Sequence, residues 1–147
     1  MGQAAGACAL AWLAALTIYD VRQRRLPNAL TLPGAVVVLV AAALTGRGFA
    51  ALLGAVALGA LYLVVHLIAP AAMGAGDVKL ALGIGALTGA FGVDAWVLAA
   101  VAAPLLTALW GIVALCSGGA EATGENTVPH GPSMCVAAAA SVALMIV

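Results

Sequence analysis

Of 147 residues only five are acidic, and three of these are aspartates: Asp20, Asp77 and Asp94. Asp77 follows two glycines in Met73-Gly74-Ala75-Gly76-Asp77-Val78-Lys79, and Asp20 precedes Arg22, Arg24, Arg25 and a Pro27-Asn28 step. Two carboxylates brought close together repel, so one keeps its proton while the other ionises. The ionised member can then take a proton from water and the protonated one can polarise a carbonyl. Carboxylates at membrane depth also mark ion paths. Simpler roles exist for each residue alone: Asp20 paired with Arg22 or Arg24, and Asp77 as the N-cap of a helix. Gly74 and Gly76 would let an extended strand lie against the main chain with no Cβ in the way. A phosphate cradle does not fit, because the third glycine and a βαβ context are missing and an acid stands where the anion would bind.

The elements that must position these residues follow from composition. Hydrophobic residues make up 66% of the chain and charged residues 7%, against roughly a quarter charged in a soluble domain. So few charges cannot cover a surface facing water, and lipid is the expected solvent. Five basic and five acidic side chains cancel, which excludes the basic face a nucleic-acid partner requires. The expectation is an all-α, polytopic transmembrane bundle of about six helices forming a single domain over residues 1–147, with the bilayer as its main partner.

Six apolar segments run at Gly2–Tyr19, Ala29–Leu44, Phe49–Ile68, Val78–Phe91, Ala95–Cys116 and Ser133–Val147. The first has its basic cluster after it, the reverse of a secretory signal, so it reads as a retained helix. The fourth is short and holds Gly83, Gly85 and Gly89, which marks it as tilted, broken or buried inside the bundle. Its Gly85-x-x-x-Gly89 spacing permits close helix approach. Ser117–Thr127, with Glu121 and Glu125, reads as a solvated loop. Cytoplasmic loops hold the excess of Lys and Arg, so the Arg22–Arg25 turn is placed in the cytoplasm and the N-terminus outside. Counting helices from there puts the end of the first segment and the start of the fourth at the same cytoplasmic boundary. Asp20 and Asp77, 57 positions apart in sequence, would then share one membrane face, with Asp94 on the other.

The remaining polar and sulfur-bearing residues suggest structure rather than chemistry. Cys8, Cys116 and Cys135 are odd in number and form no CxxC pair, so they read as small hydrophobes packed between helices. His66 lies within an apolar segment and suits an interhelical hydrogen bond, because no second ligand stands at metal spacing. His130, between Pro129 and Gly131, reads as a turn residue. Trp12, Trp96 and Trp110 suit packing or the interface, and Pro27-Asn28 suits the start of a helix. Lys79 either tunes Asp77 or marks the boundary.

Three segments together resemble a known family. Gly74-Ala75-Gly76-Asp77-Val78-Lys79 resembles the GxGDxK signature of type IV prepilin peptidases, the GxGD class of aspartyl proteases. Tyr19-Asp20 through Arg25-Leu26-Pro27-Asn28 looks like that family's first catalytic segment. Val128-Pro129-His130-Gly131-Pro132 is similar to its Pro-aromatic-Gly-Pro turn, with His130 in the aromatic position. The resemblance implies a catalytic pair, Asp20 and Asp77, with Gly74, Gly76, Lys79, Pro27 and Asn28 as motif or substrate-positioning residues and no cofactor or metal. It implies a prepilin or pseudopilin substrate with a short basic leader, a glycine at the cut and an apolar helix, in the service of a pilus or a secretion system. The larger members' cysteine-bearing cytoplasmic insertion, which accompanies N-methylation, is not found, so the chain looks like the short peptidase form of Flp/Tad-type pili. Two other classes stand beside this one: a small proton- or ion-coupled transporter, which would place ionisable groups at several depths, and a non-catalytic membrane subunit, which would not need three motifs in order.

Overall fold

The computed structural model describes residues 3–23, 26–70, 73–116 and 130–146. These form six α-helices: α1 (Gln3–Gln23), α2 (Asn28–Leu44), α3 (Gly48–Ile68), α4 (Ala75–Phe91), α5 (Val93–Cys116) and α6 (Gly131–Ile146). Arg24, Arg25 and the whole of Ser117–Pro129, with Glu121 and Glu125, lie outside the described residues. The all-α bundle expected from sequence is what the chain forms.

The helices run longer than their apolar cores. Helix α1 continues to Gln23, so Asp20 lies within its last turn rather than after it. Helix α4 begins at Ala75, two residues ahead of Asp77. Once a helix is nucleated each added residue gains a hydrogen bond, so polar residues flanking an apolar run join it. Pro27 is the N-cap of α2, and its carbonyl accepts from Leu30 N–H at 2.9 Å.

Helix α4 is the centre of the bundle and packs against α2, α3, α5 and α6. It is unbroken and, from Leu80 to Ala90, almost wholly buried. Its glycines make this possible. A Cβ at Gly54 of α3 would run into the Gly85 carbonyl, and would lie 2.9 Å from Gly89 Cα. The two helices therefore meet backbone to backbone, as the Gly85-x-x-x-Gly89 spacing suggested. Lipid is as apolar as leucine, so close packing and hydrogen bonds hold such helices together rather than the hydrophobic effect.

Two tryptophans lock this arrangement. Trp12 Nε1 donates to the Leu30 carbonyl at 3.0 Å while its ring covers Gly34 and Gly83. Trp96 Nε1 donates to the Gly54 carbonyl at 3.0 Å, tying α5 to the α3–α4 seam. Trp110, by contrast, is exposed. Cys135 is buried as expected, whereas Cys8 and Cys116 are exposed on outward helix faces.

The outside of the bundle is apolar: Val36, Val37, Leu44, Leu105, Ile112 and Leu144 are among many large exposed hydrophobic residues. Helices Gly48–Ile68 and Val93–Ala114 are long and apolar enough to cross a membrane, and only 33% and 11% of their most apolar stretches are buried by the rest of the protein. Helices of a soluble core would be buried far more completely, so these faces belong in lipid.

The two ends of the bundle differ. At one end Arg47 Nη1 donates to the Ala90 carbonyl at 3.1 Å and its guanidinium lies 6.0 Å from the Phe91 ring centre, a cation at the carbonyl end of α4. Asp94 opens α5 at this same end. The other end gathers the close of α1, the openings of α2, α4 and α6, and the last turns of α3.

Candidate active site

Asp20 reaches that second end from α1. Its helix turns the side chain inward, and it is 7% exposed while the neighbouring Arg22 is exposed. Burial on the opposite face argues against a simple surface pair with Arg22. The Gly131 main chain at the start of α6 lies directly against the carboxylate: a Cβ placed on Gly131 would sit 2.5 Å from Asp20 Oδ2. Among the described residues, Asp20 Oδ2 is buried without a hydrogen-bond partner. Buried polar atoms nearly always have a partner, so an orphan carboxylate oxygen calls for a proton, a water or a ligand.

Asp77 arrives from the first turn of α4. Gly74, not Asp77, is the N-cap, in extended conformation with φ −72° and ψ 148°. Asp77 is three positions on and reaches back, so that its Oδ2 accepts the Gly74 N–H at 3.2 Å. The helix-start role is thus met in part, from inside the helix. One carboxylate oxygen is engaged there, and the group is half-buried rather than sealed.

The structure puts the two aspartates at the same end of the bundle, Asp20 in the last turn of α1 and Asp77 in the first turn of α4. Asp94 is at the far end of the bundle. The juxtaposition results from topology: α1 enters this end, α4 leaves it, and α6 closes over both.

The other motif residues surround the pair. Lys79 Nζ donates to Asn28 Oδ1 at 2.8 Å, a bond spanning 51 positions. Lys79 therefore ties the Pro27-Asn28 turn to α4. Gly76 packs on Leu26, with space for a Cβ only 3.3 Å from the Leu26 Cβ. Around Gly74 the nearest atom to an added Cβ is Asp77 Oδ2 at 3.5 Å, so the approach to that glycine is open.

Two histidines differ from expectation. His66 does not bridge two helices: its Nδ1 lies 2.7 Å from the Met73 carbonyl and, facing an acceptor, carries the proton. The last turn of α3 thereby holds Met73, the residue just before Gly74. His130 is more than a turn residue. Its Nε2 lies 3.0 Å from Tyr62 Oη and its Nδ1 2.6 Å from Thr107 Oγ1. Burial pushes the His130 pKa below its ordinary value, favouring the neutral ring. Tyr62 and Thr107 carry no motif, and sequence reading passed over them. A tyrosine hydroxyl inside an apolar helix was the available signal, since it must find a partner.

Among the described residues no three His, Cys, Asp or Glu side chains come together as a metal site. What the cluster offers is acid–base chemistry: a buried carboxyl with an unengaged oxygen, a second, half-buried carboxyl, and a glycine-lined approach beside it.

Comparison with known proteins fits this geometry. A sequence model of the type IV leader peptidase family matches residues 7–118, which include Asp20, Pro27, Asn28 and the whole of Gly74–Lys79. His130, Gly131 and Pro132 lie beyond the matched span. No curated protein and no solved structure matches the chain. The match covers well over half of the sequence, and the chain belongs to the type IV leader peptidase family.

Proposed function

We propose that this protein is a membrane-embedded aspartic endopeptidase that removes the basic leader from type IV prepilins or pseudopilins at the cytoplasmic membrane boundary. Residues 1–147 act as one domain, with the N-terminus outside and the site facing the cytoplasm. Asp20 and Asp77 are the catalytic pair. The observation that supports this reading is that both lie at one end of the bundle, each inside a segment that resembles a family motif.

The chemistry follows from the pair. One carboxylate, ionised, takes a proton from a water molecule, which attacks the scissile carbonyl. The other, protonated, donates a hydrogen bond to that carbonyl oxygen and then helps the amine leave. The protons belong to the pair, so neither aspartate is assigned one role. No covalent intermediate and no cofactor is needed. The substrate's apolar helix docks in lipid beside the bundle and presents its glycine at the boundary. Gly74 and Gly76 receive the extended segment, while Lys79 and Asn28, with Pro27, hold the α1–α2 turn to α4. This chain does not transfer a methyl group to the new N-terminus.

Co-expression with a prepilin tests this. Asp20→Asn and Asp77→Asn should each abolish leader removal at normal membrane levels, a loss of at least about 10²–10⁴-fold, while Asp94→Asn cleaves normally. Full cleavage by either of the first two variants would eliminate the dyad. Mass spectrometry of the product should find an unmethylated N-terminus.

A further inference from the structure

His130 is held on both sides of its ring by helices remote in sequence: Tyr62 of α3, 68 positions away, and Thr107 of α5, 23 positions away. The proton assignment that satisfies every member is readily found. Thr107 Oγ1 has one hydrogen and lies 3.1 Å from the Ala103 carbonyl, which can only accept. With that hydrogen given to Ala103, Oγ1 accepts from His130 Nδ1–H. Nε2 is then left as the acceptor for the Tyr62 hydroxyl. The main chain is fixed as well, because the His130 carbonyl accepts the Met134 N–H at 3.2 Å and so begins α6. The next residue is Gly131, whose backbone lies on the buried, unpartnered oxygen of Asp20.

We propose that His130 is a positioning residue: clamped between Tyr62 and Thr107, it holds the Gly131 main chain against Asp20 and so sets where that carboxylate stands relative to Asp77. Its catalytic consequence rests on the peptidase reading above, whereas the clamp itself is testable without substrate. The helix-borne anchors supply the rigidity. Tyr62 and Thr107 sit on α3 and α5, and the ring spans them, so the start of α6 cannot slide along α1 unless one of these hydrogen bonds breaks. The His130 ring, unlike the benzene ring of an ordinary aromatic side chain, offers two hydrogen-bonding atoms for this purpose.

The chain contains a single His-Gly step, His130-Gly131. Protein made with carbonyl-labelled histidine and amide-labelled glycine therefore gives one selected resonance, the Gly131 amide. In detergent micelles that resonance should follow a carboxyl titration that vanishes in Asp20→Asn. Thr107→Val and Tyr62→Phe should each collapse its amplitude, and Thr107→Ser, which keeps the hydroxyl, should restore it. In leader-cleavage assays Thr107→Val should lower kcat about tenfold with KM unchanged, and Thr107→Ser should recover it. Retention of the full amide titration in both Thr107→Val and Tyr62→Phe would overturn the clamp. So would a loss confined to KM, or one that Thr107→Ser does not rescue. An enzyme that cleaves no prepilin would overturn the peptidase reading, and the amide titration would still decide the clamp by itself.

Discussion

Replacing Gly131 by alanine adds one methyl group at the place where α6 touches Asp20. The new Cβ would lie 2.5 Å from Oδ2, 3.0 Å from Cγ and 3.4 Å from Cβ of Asp20. Ordinary contact begins near 3.4 Å, so the carboxylate must retreat by about 0.9 Å. The obstacle is the end of a short side chain rather than backbone, and it can swing away at a rotamer cost of about 0.5–1.5 kcal/mol. Stability should therefore fall only by that amount. Activity should suffer more, because a displacement near 1 Å costs on the order of 10²-fold in rate, or about 2.7 kcal/mol in the barrier. The assay is leader removal from a purified prepilin in detergent, with kcat and KM separated, beside a thermal melt of the same sample. Wild-type kcat in a folded Gly131→Ala protein would refute the contact between Gly131 and Asp20 as a determinant of catalysis. Gly74→Ala is the matching comparison. Its Cβ meets nothing nearer than 3.5 Å and its backbone, at φ −72°, suits any residue. That variant should melt like wild type, and its defect should appear in KM, where a substrate strand approaching Gly74 meets the added methyl group.

Three further outcomes follow. Gly85→Ala puts a Cβ against the Gly54 carbonyl and 2.9 Å from Leu58 Cβ; the α3–α4 seam must open, destabilising the bundle by about 1–3 kcal/mol in a denaturation titration. Lys79→Ala and Asn28→Ala should be non-additive in stability, with a coupling of about 0.5–1 kcal/mol for an exposed charge-assisted bond, and equal, additive losses would remove the link between the α1–α2 turn and α4. The stability advantage of wild type over His130→Gln should shrink as pH falls below the ordinary histidine value of 6.5. Burial holds the folded-state pKa down, so the unfolded chain takes up more protons in that window and stability rises with pH; a difference that stays constant from neutral to acid pH would contradict it.

The amino-acid sequence by itself determined that this protein is an all-α bundle with an apolar exterior, because so few charges cannot cover a surface facing water and because the apolar runs satisfy their own backbones as helices. It also singled out Asp20 and Asp77 from Asp94, since these two are embedded in glycine, proline and basic patterns that Asp94 lacks. Packing, by contrast, is a matter of three dimensions. Only the tertiary structure decided that α4 is the buried centre, that Gly54 meets Gly85 and Gly89, and that Lys79 reaches Asn28 rather than its near neighbour Asp77. His130 shows the reason most clearly. Its local sequence, Pro-His-Gly-Pro, describes a turn, while its two hydrogen-bond partners stand on helices that share no pattern with it. Pairings across long separations leave no periodic trace along the chain, because each partner obeys only the rules of its own helix until the bundle closes.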